Sequence, residues 1–252
     1  MMRQIILITD GCSNVGTSPV IAAAFAREEG ITVNVIGVVD YGELGELGSQ
    51  EIKEIAQAGG GMSRIVSSKQ LSQTVQMMTR KTVMGTIEQA VGKELRQILG
   101  DTNISQLPPD KRAEVVHVID EMTESADLRV AVLVDASASM KPKLTAVREA
   151  LQDLVISLRS RMGKSEMAVF HFPSSVGTDS EIAMDSAWTS DLAKVDKMFY
   201  KINMKGTTPT GPALLKLVHY IASTSDHMDR SERHEQPFAD EGKGGILGDY
   251  VV

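Results

Sequence analysis

Short apolar runs alternate along the chain with longer segments whose apolar residues recur every three or four positions. The runs are rich in Val and Ile and are bounded by Gly, Asp or Ser, which is typical of buried strands. They predict strands at residues 4–9, 31–39, 62–66, 129–134 and 166–172, with an edge strand at 182–189. Because most runs show little polar alternation, we expect the sheet to be covered on both faces.

The longer segments carry the start and stop signals of helices. Ser18 and Pro19 stand at the first positions of a segment that ends before Gly30, a combination that favours a helix. Helices are predicted at residues 18–29, 49–58, 68–80, 143–161, 191–201 and 212–223. Strands that alternate with helices predict an α/β fold, here a doubly wound, mostly parallel sheet of six strands with helices on both faces.

The middle and the end of the chain depart from this alternation. Residues 83–99 and 110–123 predict two successive helices with no strand between them, which together form a helical linker over residues 80–126. Residues 225–252 are acidic and polar, and Gly-rich near their end, a composition that favours disorder. The predicted organisation is therefore two α/β segments, 1–79 and 127–224, joined by a linker and followed by an acidic tail.

The overall composition narrows the classes of function. The 252 residues include 26 basic and 33 acidic side chains, and the net charge of −7 argues against a nucleic-acid partner. A single cysteine, Cys12, forms no internal disulfide, so nothing indicates an oxidising compartment. The sequence contains no signal-peptide core and no run of about 18 apolar residues, so we expect a cytoplasmic protein without a membrane partner.

The sharpest chemical signal follows the buried run at residues 129–134. Asp135, Ser137 and Ser139 place oxygen side chains at alternate positions of a segment that leaves a strand. A carboxylate with hydroxyl groups, without His or Cys, suits a hard cation such as Mg²⁺ better than zinc. Taken alone, however, this pentapeptide is equally typical of an ordinary polar loop.

Two further segments favour the metal site. Gly206-Thr207-Thr208 precedes a predicted helix, and Asp10 ends the first predicted strand. Together with the pentapeptide they resemble the metal-ion-dependent adhesion site (MIDAS) of von Willebrand factor A (VWA) domains. In that family an Asp and two Ser follow the first strand, a Thr precedes a helix, and a second Asp ends the fourth strand. The resemblance assigns these five positions to Asp135, Ser137, Ser139, Thr208 and Asp10.

The order of these segments differs from the usual family order, in which the Asp10 segment follows the Thr208 segment. The chain therefore resembles a circularly permuted VWA domain, with the family's second half at residues 1–79 and its first half at 127–224. The expected sheet order begins at the edge strand 182–189 and continues through 166–172, 129–134, 4–9, 31–39 and 62–66. The strand order reverses beside residues 4–9, at the switch point where open α/β sheets bind ligands, so Asp135 and Asp10 should face each other.

A smaller group within the family is indicated by three segments, ITDGCSNVG, TVNVIGVVDYG and QMMTRKTV. They look like the small permuted A-domain proteins of endospore-forming bacilli, the YabS-like proteins. This resemblance implies a cytoplasmic protein associated with sporulation.

The family resemblance also implies a function, a non-enzymatic module for protein–protein interaction. It implies that Ser137, Ser139 and Thr208 hold Mg²⁺ or Mn²⁺ directly, while Asp135 and Asp10 act through waters and orient the serines. A protein partner would then donate an Asp or Glu carboxylate as the last ligand.

Two alternatives stay open at this point. The same crevice could serve a Mg²⁺-dependent hydrolase or phosphotransferase, although no catalytic base and no nucleophile pattern is evident. The two half-domains could also complement each other between chains, which would give a domain-swapped dimer.

Overall fold

Six strands form one sheet in the computed structural model, which describes residues 1–11, 13–40, 45–99, 104–174, 182–191 and 208–234. In chain order they are β1 (Met2–Thr9), β2 (Ile31–Val38), β3 (Gly60–Val66), β4 (Leu128–Asp135), β5 (Ser165–Phe172) and β6 (Ala183–Thr189). They lie in the order β3-β2-β1-β4-β5-β6. All neighbours are parallel except β5 and β6, which are antiparallel. The predicted fold class and strand order are therefore confirmed.

Helices cover this sheet on both faces. The α-helices of the described residues are α1 (Pro19–Glu28), α2 (Glu46–Ala58), α3 (Leu71–Leu99), α4 (Pro109–Ser125), α5 (Leu144–Arg159) and α6 (Thr210–His234). Ile6 and Ile8 of β1 belong to a core cluster with α3, α4 and α5. Their neighbours Ile5 and Leu7 are equally buried and point to the opposite face, because side chains alternate along a strand. Within the described residues, no helix is both long and apolar enough to span a membrane.

The long helix α3 differs from its prediction. Two helices were expected, at residues 68–80 and 83–99, but a single helix of 29 residues runs from Leu71 to Leu99. The intervening residues contain neither Gly nor Pro, so nothing in the backbone chemistry ends the helix there. Met78 and Val83 are both buried in the core, which keeps the helix on the sheet across the polar stretch between them. The proposed boundary at residue 80 therefore falls inside a helix.

The C-terminal part of the chain is described only to His234. By its contacts the chain divides into two compact units, Met1–Val218 and His219–Val252. Helix α6 continues past residue 225, where the acidic tail was expected to begin. Residues 235–252 and most of the predicted helix 191–201 lie outside the described residues. The predicted division into half-domains, linker and disordered tail stays a prediction.

Candidate functional site

The ends of β1 and β4 lie side by side at the centre of the sheet. Their parallel register pairs Ile8 with Val134, so the next residues along the two strands are Thr9 and Asp135. From β1 the sheet continues to β2, and from β4 it continues in the opposite direction to β5. This reversal makes the carboxyl ends of β1 and β4 the topological switch point, the usual ligand-binding position of such sheets.

Asp135 is fully buried at this point. Its Oδ2 accepts a hydrogen bond of 2.7 Å from the hydroxyl of Thr9, and its Oδ1 accepts one of 2.8 Å from the backbone N–H of Ser137. Burial raises the pKa of the Asp135 carboxyl, and these hydrogen bonds offset part of the rise. The nearby carboxylate of Asp10 raises the pKa further. The ionised form of Asp135 is thus held at an energetic cost that a bound cation would reduce.

A chain of side-chain hydrogen bonds leads from the β4 loop to Asp10. The hydroxyl oxygens of Ser137 and Ser139 lie 3.1 Å apart, and the Ser139 hydroxyl donates to Oδ1 of Asp10 at 2.8 Å. A short 3₁₀ helix, Ala138–Lys143, starts here, and Ser137 precedes it as its N-cap residue. The structure therefore brings Asp135, Ser137, Ser139 and Asp10 into one cluster, named here the switch-point cluster.

Lys143, at the end of that short helix, adds a positive charge to the switch-point cluster. Its Nζ donates to Oδ2 of Asp10, so both carboxylate oxygens of Asp10 are engaged. The exposed fractions of the two side chains are only 13% for Lys143 and 3% for Asp10. Solvent and salt consequently screen this ion pair less than they screen a pair on the surface.

Thr208 is hydrogen-bonded to the segment that follows Asp10. Its N–H donates to the side-chain oxygen of Asn14 at 2.8 Å, and its carbonyl accepts from the N–H of Asn14 at 3.2 Å. Gly211 makes the approach between the two segments possible, because a Cβ there would lie 1.8 Å from the carbonyl oxygen of Thr17. Thr208 is itself buried. The preceding residues Gly206 and Thr207 lie outside the described part of the chain, as does Cys12.

Several residues of this site were not predicted from the sequence. They are Thr9, Asn14 and Lys143, together with Glu51 of α2, whose Oε1 accepts a 2.9 Å hydrogen bond from the N–H of Ser13. Burial raises the pKa of the Glu51 carboxyl, although that hydrogen bond opposes the rise. Of these four residues, only Thr9 could have been identified from the sequence, because it stands next to Asp10 at the end of an apolar run.

The oxygen atoms of the switch-point cluster fit a small hard cation. Neighbouring ligands of an octahedral Mg²⁺ at roughly 2.0–2.1 Å lie about 2.9 Å from each other. The two oxygen pairs formed by Ser137, Ser139 and Asp10 are separated by 3.1 and 2.8 Å, which are ordinary hydrogen-bond distances that such a coordination shell also accommodates. Hydroxyl groups supply much of the donor set, and the described residues contain no group of three His, Cys, Asp or Glu side chains that could hold a metal ion, at this cluster or elsewhere.

The fold and the site define a doubly wound α/β protein with a carboxylate–hydroxyl cluster at the switch point of its sheet. The chain belongs to the same family as YabS of Bacillus subtilis, an uncharacterized protein. The two sequences are 48% identical over 214 residues, which cover 84% of this chain and 86% of YabS. The predicted relation to YabS is therefore confirmed. No protein-family model matches the chain.

A solved structure agrees with this fold. The crystal structure of an uncharacterized protein from Alicyclobacillus acidocaldarius subsp. acidocaldarius superposes with a TM-score of 0.82 at 40% identity. The match covers 90% of this chain and 97% of that protein. Proximal thread matrix protein 1 of the mussel byssus, with a zinc-occupied MIDAS motif, reaches a TM-score of only 0.29 at 15% identity. That superposition carries no argument about this site.

The burial of Asp135 predicts different stabilities for two variants of the metal-free protein. Asp135→Ala leaves the N–H of Ser137 and the hydroxyl of Thr9 without their buried acceptor, which should cost about 2 kcal/mol of unfolding free energy. Asp135→Asn keeps an acceptor for Ser137, and the Thr9 hydroxyl accepts from the new amide while it donates to the Gly11 carbonyl, 3.3 Å away. Its stability should equal that of the wild type. Urea unfolding in EDTA measures both, and equal losses in the two variants would contradict this account.

Proposed function

We propose that this protein is a VWA-type interaction module. In this proposal the switch-point cluster and Thr208 hold Mg²⁺ or Mn²⁺, and the cation captures an acidic side chain of a partner protein. One observation carries the proposal, the 2.8 Å hydrogen bond between Ser139 and Asp10, residues that are 129 positions apart. This contact joins the two segments that the permuted VWA pattern requires to meet.

The donor set favours a cation that still seeks an anionic ligand. Ser137, Ser139 and Thr208 offer neutral hydroxyl oxygens, while Asp135 and Asp10 supply the negative charge. Neutral ligands leave much of the charge of a divalent cation uncompensated, so a carboxylate from outside would bind through a charge-assisted contact. A bound cation would supply positive charge and Lewis acidity, and the side chains of the cluster would hold it in place.

The solvent exposure of the switch-point cluster increases from Asp135 to Ser139, so one side of the cluster is open to a partner. Asp135 is fully buried and Ser137 nearly so, whereas Ser139 and the adjacent Ala138 are exposed. A partner side chain can therefore reach the cluster from the Ser139 side without any unfolding of β4. The buried Asp135 is sheltered from that approach and is suited to orient the loop.

Metal binding is expected to be a single event that depends on Asp135. Calorimetric titration of Mg²⁺ or Mn²⁺ into chelator-treated protein should show one site, weakened at least tenfold in Asp135→Asn because the carboxylate charge is lost. Asp120→Asn, the same change at an exposed position of α4, is the matched control and should bind as the wild type does. Undiminished binding in Asp135→Asn would refute the assignment of the site.

Recognition of a partner is expected to require both the cation and an acid. Peptides selected from a phage-displayed library in Mg²⁺ should contain an essential Asp or Glu and should be released by EDTA. Conversion of that acid to its amide, or Ser139→Ala in the protein, should abolish retention, and Ser160→Ala at an exposed site should not. Peptides that stay bound in EDTA and tolerate the amide would contradict the interaction model. So would turnover of phosphate esters that is lost in Asp135→Asn.

A further inference from the structure

Lys143 is a cation built into a site that is proposed to bind a cation. Its Nζ forms an ion pair with Oδ2 of Asp10, while Ser139 occupies Oδ1 of the same carboxylate. The Asp10 side chain is only 3% exposed, so water contributes little to neutralising it. Lys143 is therefore the group that compensates the charge of Asp10 in the metal-free protein. The inference drawn from this contact rests on the proposed metal-binding function.

The position of Lys143 is not explained by the helix that it precedes. Lys143 is the N-cap residue of α5, and a positive charge at a helix N-terminus opposes the helix dipole. Asp40 lies within reach of the same charge, since its carboxyl pKa is lowered by hydrogen bonds from Ser68 and, to a smaller extent, by Lys143 and Lys69. The carboxylates at this end of the sheet therefore account for the placement of Lys143 better than α5 does.

The charges of the switch-point cluster determine what the ammonium does to a metal. Asp135 and Asp10 carry two negative charges, and Lys143 cancels one of them. Like charges repel each other more strongly in a partly buried site than in bulk water, so an ammonium group beside a metal ligand opposes the binding of a second cation. Removal of the ammonium would leave the full charge of Asp10 available to the metal. In the metal-free protein, it would leave the carboxylates of Asp135 and Asp10 close to each other with no cation to neutralise them.

We propose that Lys143 is the internal counter-ion of Asp10. It keeps the site assembled when no metal is bound, and it lowers the affinity of the site for the divalent cation. Lys143 touches a proposed ligand rather than the metal itself, so it acts as a positioning residue. The site is thereby set to bind its cation weakly in the absence of a partner.

The test compares Lys143→Met with Lys141→Met in the full chain. Methionine retains the apolar stem without the charge, and Lys141 lies exposed on the same short helix, which makes it the matched control. Calorimetry should show about tenfold tighter Mg²⁺ binding for Lys143→Met than for Lys141→Met. In EDTA the melting temperature of Lys143→Met should fall below that of Lys141→Met, and saturating Mg²⁺ should remove this difference. Lys143→Arg, which restores a charge, should return the Mg²⁺ affinity towards the wild-type value.

Each outcome separates this proposal from the proposed function. If the wild type binds Mg²⁺ and Lys143→Met binds it equally or more weakly, Lys143 is not a competing charge, while the metal site stands. If neither protein binds Mg²⁺, both proposals fail. If only Lys143→Met binds, the counter-ion proposal is supported in its strongest form. Lys143→Gln, analysed in the same way, replaces Lys143→Met if circular dichroism shows that the methionine variant does not fold.

Discussion

The parallel pairing of β1 with β4 is the contact on which the site depends. Residues 126 positions apart become neighbours because the register sets Thr9 beside Asp135, and the two side chains share a hydrogen bond. A slip of one residue would separate Thr9 from Asp135 and would turn every side chain of the strand to the opposite face, where side chains of other shapes are already closely packed. The packing of the apolar core thereby fixes the position of the polar cluster above it.

Electrostatic balance is the second constraint on this site. Asp135 is buried without a positive neighbour in direct contact among its described partners, and it relies on the hydroxyl of Thr9 and the N–H of Ser137. Asp10 is neutralised by Lys143 instead. The two carboxylates thus differ in how they are stabilised, and a bound cation would act on them differently. It would reduce the energetic cost of burying the negative charge of Asp135, whereas at Asp10 it would compete with the ammonium group of Lys143.

The chain pattern predicted the sheet well because the four central strands, β2, β1, β4 and β5, are compact apolar runs with clear ends. The meeting of the Asp135 and Asp10 segments followed from the strand order that the family resemblance implied and from the switch-point rule, while Ser137 and Ser139 were assigned by the resemblance itself. The break expected within α3 was wrong because a polar stretch need not interrupt a helix whose buried residues resume beyond it. The part played by Lys143 was not visible, since the sequence does not show which cation reaches a carboxylate 133 positions away.

The central claim is that the two separated segments form one metal site, and anomalous diffraction from crystals soaked in Mn²⁺ tests it most directly. The account predicts a manganese peak within coordination distance of the hydroxyl oxygens of Ser137 and Ser139, between the carboxyl ends of β1 and β4. The peak should disappear in crystals of Asp135→Asn. A peak elsewhere on the molecule, or none at Mn²⁺ concentrations that saturate binding in solution, would contradict the account.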